Sequence, residues 1–240
     1  MILHRLLPAP GDELDVEAPG ARDRLLEWYA PRGAEGIRCN LVVTIDGRAA
    51  GGDGGSDSLS SRTDRMILGV IRESADAVLV GAGTVRVEGY RLPSRAPLAI
   101  VTASGDLAGH RLEPREGAAP VVVLTTVAGA ERARESLAAL PHRIEVVDET
   151  GFSIAQAVGS LRELGFRSLV AEGGPSVIRA LLDADLLDEL CLTTTPRLGG
   201  RALPLLGGGD APLTPWQRTQ LLVDADGLAY ARWSRVSASS

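Results

Sequence analysis

The sequence predicts an α/β domain: a mainly parallel central sheet, helices on both its faces, and an antiparallel edge at the C-terminal end. Three observations predict it. From residue 36 onward, short apolar, β-branched runs alternate with segments of helical length, the pattern of a parallel sheet covered by crossover helices. Gly-rich turns stand at the carboxyl ends of two of these runs. No helical pattern separates the last two runs, so those strands pair antiparallel. The chain has 240 residues, of which 45% are hydrophobic and only 3% aromatic, so Leu, Val, Ile and Ala must fill the core. A chain of this length buries enough surface to fold without disulfides or a metal.

The elements follow in order. Residues 1–35, with a Pro-, Gly- and acid-rich stretch and a short helix over Ala21–Tyr29, are expected to form an N-terminal arm packed on the domain of residues 36–240. Ile37–Ile45 reads as a buried strand. Gly51–Ser58 is a loop, because its glycines disfavour regular structure. Ser60 or Ser61 offers an N-cap for a helix through about Ser74, followed by a buried strand at Ala77–Val80. Further strands are expected at Leu98–Thr102, Val121–Thr125, Ile144–Val147, Ser168–Ala171, Glu189–Thr195 and Ala229–Trp233. Helices are expected over Ala130–Leu140, Ser153–Leu164 and Ser176–Ala184. No repeat or long linker divides the chain.

Composition narrows the chemistry. The net charge of −6 is spread along the chain, and no basic stripe stands ready to neutralise a nucleic-acid backbone or an anionic membrane. The sequence contains no lysine, which excludes Schiff-base and lysine-base chemistry and leaves phosphates to Arg, hydroxyls or backbone N–H groups. Cys39 and Cys191 lie in apolar strand runs and read as small buried hydrophobes, not as a disulfide or nucleophile. No Cys-x-x-Cys or paired-His spacing suggests a metal site. Neither a signal peptide nor a membrane span is evident, and a cytoplasmic location is expected.

Three motifs carry candidate chemistry. Val80-Gly-Ala-Gly-Thr-Val85 takes a strand into a Gly-rich turn and then a helical segment, where a backbone can approach a phosphate. Arg86 stands where a Rossmann fingerprint needs a small residue, and no acid ends a second strand at the expected distance. Ala171-Glu-Gly-Gly-Pro-Ser176 places a Gly-Gly pair at a strand end and Pro175 at the first helical position. Glu172 stands as an acid in that Gly-rich crevice. In Asn40-Leu-Val-Val-Thr-Ile-Asp-Gly-Arg48, alternation puts Asn40, Val42, Thr44 and Asp46 on one strand face. The competing reading of the last stretch is an Asp-Gly turn in which Asp46 bonds its own backbone.

In order and spacing, these pieces resemble the reductase domain of the riboflavin-pathway deaminase–reductase enzymes over roughly residues 37 to 206. The resemblance is carried by Thr44-Ile-Asp-Gly-Arg48, by Ser56 with Ser60-Ser61, by Ala77-Val-Leu-Val-Gly-Ala-Gly-Thr-Val85 and by Glu172-Gly-Gly-Pro175. Leu186-Leu-Asp-Glu-Leu190 and Pro196-Arg-Leu-Gly-Gly200 add to it. It implies a dihydrofolate-reductase-like fold, NADPH as cofactor, a homodimer, and reduction of the ribosyl group of a ribosylaminopyrimidine phosphate to ribityl. By position, Val42, Gly81, Gly83, Thr84, Arg86, Ser104, Gly173, Gly174, Pro175, Ser176 and Val177 would surround the cofactor, with Gly173–Gly174 a cis peptide. Asn40, Asp46, Ser56, Leu92, Arg95 and Glu172 would line the substrate side, with Arg95 or Arg91 meeting its phosphate. Asp46 and Glu88 are the candidate catalytic residues, with Glu88 or a water as the proton source.

The chain departs from the family in three ways. Asn40 stands where Lys is frequent, although stand-alone reductases commonly carry Asn. Glu88-Gly89-Tyr90 replaces an acidic Asp-Asp-Pro stretch. The zinc deaminase signature, His-x-Glu with Pro-Cys-x-x-Cys, is absent. Reduction of a dihydropterin on the same scaffold and a catalytically silent nucleotide-binding module are the competing readings.

Overall fold

In a computed structural model that describes residues 1–93, 95–148 and 152–236, the expected apolar runs all become strands of one sheet. Residues 1–35 form β1 (Ile2–Leu7), β2 (Asp12–Asp15) and α1 (Ala21–Trp28). β3 (Gly36–Val43) leads through the Gly-rich loop to α2 (Arg62–Glu73), β4 (Ala77–Gly81) and α3 (Ala82–Val87). Next come β5 (Tyr90–Arg91), β6 (Leu98–Val101), β7 (Leu112–Glu113), β8 (Val121–Thr126), α4 (Val127–Ser136) and β9 (His142–Asp148). The chain continues with α5 (Ile154–Glu163), β10 (Ser168–Ala171), α6 (Pro175–Asp183), β11 (Glu189–Thr194), β12 (Trp216–Asp224) and β13 (Ala229–Arg235).

Local chemistry sets the helix starts. Ser61 caps α2, its Oγ accepting from Asp64 N at 3.0 Å. α4 begins and ends earlier than its apolar pattern suggested, because Thr126 supplies the cap by accepting from Gly129 N at 3.1 Å.

The sheet has eleven strands in the order β2-β1-β12-β13-β11-β3-β10-β4-β6-β8-β9. From β11 to β9 every neighbouring pair is parallel. β13, β12, β1 and β2 add antiparallel pairings at the other side. The antiparallel edge is therefore wider than the sequence suggested. β12 was not foreseen, since Gln217, Arg218 and Gln220 interrupt its apolar pattern, and residues 1–35 supply two further strands.

Strand alternation divides the core between the two faces. Ala77 and Leu79 of β4 pack with Leu169 and Ala171 of β10 beneath α5 and α6. Val78 and Val80 face the other way, toward α3 and α4, and Val170 packs with α1 and α2 on that side. Cys39 and Cys191 are buried and free, and burial pushes the Cys191 thiol up to about 12. Among the described residues no helix is long and apolar enough to cross a membrane.

A buried charge cluster fastens residues 1–35 to the sheet. Glu189 pairs with Arg38 and with Arg232, the latter at 2.7 Å, and all three side chains are almost fully enclosed. The two guanidiniums also donate to the main chain at the end of α1: Arg38 to Tyr29 O at 2.8 Å, and Arg232 to Trp28 O at 2.9 Å and Ala30 O at 2.6 Å.

Candidate functional site

β10 enters the sheet between β3 and β4, although it comes much later in the chain. In open α/β sheets such a change of strand order leaves a crevice at the carboxyl ends of the strands. A cavity of about 800 Å³ opens there, lined by residues following β3, β4, β6 and β10 and by α2. This is within the size range of small-molecule and cofactor sites.

Its floor is made by the two Gly-rich turns pressed together. Gly81 N donates to Gly173 O at 3.0 Å. A Cβ on Gly81 would lie 3.0 Å from Val177 Cγ2, and one on Gly174 would lie 3.1 Å from Thr84 Oγ1. Gly173, at φ 110°, is joined to Gly174 by a cis peptide, as the resemblance implied. Pro175 opens α6, and Gly174 O accepts from Val177 N at 2.9 Å and Ile178 N at 3.2 Å. Gly83 differs from its neighbours, because a Cβ there would meet nothing within 4 Å and would point into open space.

Beside these turns, the cavity wall includes Val42, Arg86, Ser104, Pro175, Ser176 and Val177. The sequence-predicted cofactor residues Val42, Gly81, Gly83, Thr84, Arg86, Ser104 and Gly173–Val177 are thus all brought together. These residues fit a dinucleotide: a cavity of sufficient volume, a backbone open at Gly83, and a helix N-terminus with hydroxyls nearby.

The wall beside the second Gly turn is built from α2 and Glu172. Arg72 grips Glu172 through two hydrogen bonds, Nε to Oε1 and Nη2 to Oε2, both 2.6 Å. Tyr90 OH donates to Glu172 Oε2 at 3.3 Å, and the Arg72 guanidinium lies 5.6 Å from the Tyr90 ring centroid. Burial alone would pull the Arg72 pKa down, but the bonds and charge of Glu172 more than offset this and raise it. Asp64 joins the same wall. Its Oδ1 accepts from Thr193 Oγ1 at 2.6 Å and its Oδ2 from Ser60 Oγ at 2.7 Å. Burial raises its pKa above the usual 3.8 despite these bonds. Glu88 Oε1 accepts from Ser56 N at 2.7 Å and so ties the Gly-rich loop to the end of α3. Asn40, Ser56, Glu88 and Glu172 therefore share the cavity, as expected.

Three predicted residues lie elsewhere. β3 ends at Val43, and Thr44–Arg48 closes as a turn, with Gly47 N donating to Thr44 O at 2.9 Å. Strand alternation stops there, so Asp46 leaves the cavity face. It accepts from Thr44 Oγ1 at 2.6 Å, from Arg48 Nε at 2.7 Å and from Gly199 N at 3.0 Å, and these bonds hold its pKa below the usual range. Leu92 is buried in the core beneath α3 and α4. Arg95 reaches Glu73 at 3.4 Å on the outside of the fold, while Arg65 and Arg91 line the cavity. Asp46→Asn should therefore change kcat/KM less than about threefold while lowering Tm; a tenfold loss of turnover would put Asp46 back in the site.

Sequence reasoning missed Asp64, Arg72 and Tyr90. The i, i+4, i+8 spacing of Asp64, Leu68 and Arg72 places them on one face of α2, which was the available signal.

The sequence model of the RibD C-terminal domain matches residues 36–230. The chain belongs to that family. A RibD riboflavin biosynthesis protein of Bacillus amyloliquefaciens is 29% identical over 182 residues, covering 72% of this chain and 49% of the relative. The chain thus spans about half the length of that relative and of the Aquifex aeolicus RibD, of which 48% is covered. A 2,5-diamino-6-ribosylamino-4(3H)-pyrimidinone 5′-phosphate reductase of Archaeoglobus fulgidus is 25% identical over 216 residues, covering 82% of this chain and 97% of the relative. Among solved structures, a pyrimidine reductase-like protein from Corynebacterium diphtheriae superposes with a TM-score of 0.73 at 20% identity, covering 90% of this chain and 99% of the other. That superposition shows that the chain shares the fold of that protein over 90% of its length.

Proposed function

We propose that this RibD-family chain is an NADPH-dependent reductase that converts the ribosyl group of a ribosylaminopyrimidine 5′-phosphate to ribityl. The observation that carries the proposal is the single crevice in which the paired Gly turns adjoin the Arg72–Glu172–Tyr90 cluster. The names of its relatives agree with this reading. The cofactor, when bound, supplies the hydride. The protein contributes position, exclusion of water and proton delivery. Gly81, Gly83, Thr84, Arg86, Ser104 and the Gly173–Val177 turn would hold the dinucleotide. Leu41, Val42, Leu68 and Leu203 keep the walls apolar. Arg72 and Tyr90 fix Glu172 so that its remaining lone pairs accept ring N–H groups, and analogues without those donors leave it unsatisfied. Glu88, at the same cavity, is the group assigned to proton delivery, either directly or through water. The resemblance further implies a homodimer.

A dihydropterin is the second reading, favoured by Asp64, a buried carboxyl on the cavity wall suited to paired ring N–H donors. NADPH oxidation measured with each compound under matched conditions tests both. Turnover of neither, by protein shown to bind NADPH, removes both. Gly83→Ala offers a separate check on the cofactor end. Its methyl enters open space, so Tm should hold while NADPH binding weakens at least tenfold. Unchanged binding would move the dinucleotide away from Gly83.

A further inference from the structure

A second cavity, of about 260 Å³, opens at the amino ends of the parallel strands β3 and β10. The start of β11 and the end of β13 complete its wall. The crevice lies at the carboxyl ends of the same sheet, and the two cavities share no lining residue. The second is smaller than the usual cofactor site and has room for a small organic molecule. Three of its lining side chains are almost fully enclosed: Arg38 and Glu189 are each 8% exposed, and Ser234 5%. Ser234 stands opposite Glu189 in the β11–β13 ladder, yet its Oγ has no hydrogen-bond partner among the described residues. A buried hydroxyl without a partner is unfavourable, and an acceptor entering the cavity would satisfy it.

The charges around this cavity do not cancel. Glu35 is taken by Arg167 at 2.5 Å, and Arg235 by Asp185. Glu189 is engaged on both oxygens, Oε1 by Arg38 and Oε2 by Arg232, which leaves one positive charge in excess. The main-chain oxygens of Trp28, Tyr29 and Ala30 bring dipoles to these guanidiniums but no formal charge. Arg32, exposed on the cavity wall, has no carboxylate partner among the described residues. Asp188, also exposed there, accepts from Ile37 N at 2.8 Å and offsets Arg32 in charge. The excess therefore belongs to the two buried arginines.

We propose that this cavity is a binding site for a small oxyanion, a carboxylate or a phosphate group, separate from the crevice. The anion accepts from Ser234 Oγ and lies between Arg38 and Arg32, whose planar guanidiniums suit paired oxygens. The site depends on neither the dinucleotide nor the substrate reading of the crevice.

Calorimetric titration of the full chain with sodium phosphate and, separately, with sodium acetate tests it, at an ionic strength held constant with chloride. The expected result is saturable binding of one equivalent with a Kd of about 1 mM or tighter. Saturation by phosphate alone marks a phosphoryl ligand, and by acetate alone a carboxylate; either supports the site. Ser234→Ala and Arg32→Gln should each weaken that binding at least fivefold. Both should keep the parent's Tm, since one removes an unpartnered hydroxyl and the other an exposed guanidinium. An anion held in the crevice would be indifferent to both substitutions. Absence of saturable binding with either salt, or a Kd unchanged in Ser234→Ala or in Arg32→Gln, overturns the proposal.

Discussion

Arg72→Met should unfold the chain about 3–5 kcal/mol more easily and reduce turnover at least a hundredfold. The Glu172 side chain is 5% exposed and that of Arg72 28%, so this ion pair is screened far less than the surface pairs elsewhere. Removing the guanidinium strands a carboxylate against the Tyr90 hydroxyl and the apolar end of β10. Glu172→Gln is gentler on stability, because it removes the charge that needed compensation. The double variant should regain much of the lost stability and none of the activity. Urea denaturation and steady-state NADPH oxidation on the same preparations separate the two effects. If Arg72→Met kept its parent's midpoint and rate, Glu172 would have another partner and the substrate end would need rebuilding.

Gly105→Ala should be the most damaging added methyl among the described glycines, costing about 3 kcal/mol and weakening dinucleotide binding at least tenfold. The new carbon meets the Gly129 carbonyl oxygen, and the positive φ of Gly105 is itself unfavourable for Ala. Gly129→Ala acts on the same contact from the other side. Its methyl would collide with Thr125 Oγ1 and stand 2.8 Å from Ala103 O and Gly105 N. Both variants displace the loop that carries Ser104 and Asp106, so binding should fall in parallel with Tm. A Gly105→Ala variant that melted like its parent and bound NADPH normally would show that the loop relaxes freely.

The parallel half of the sheet was legible because strands buried on both faces must be continuously apolar, as Val121–Leu124 and Ala77–Val80 are. The flanking strands were less so. β1 and β12 have one face at the surface, and their polar residues break the run that identifies a buried strand. At the site, the Gly turns were readable from local sequence, since a close backbone approach needs glycine wherever it occurs. Asp46 misled because strand alternation was extended past Val43 into a turn that the same Asp-Gly pair creates. Arg72 was hidden for another reason. Its partner stands a hundred positions away, and among so many arginines nothing local marks the one that turns inward.

The Arg38–Glu189–Arg232 cluster joins two cations to one anion, leaving a surplus positive charge inside the protein. The main-chain oxygens of Trp28, Tyr29 and Ala30 meet that surplus, at the helix end where partial negative charge gathers. The family match begins at residue 36, after all three. The matched segment therefore leaves out the three main-chain oxygens on which these guanidiniums rest. A chain cut at that boundary would keep the cavity but leave the surplus cation without these acceptors in its interior, so the segment before the boundary solvates a charge of the domain it precedes.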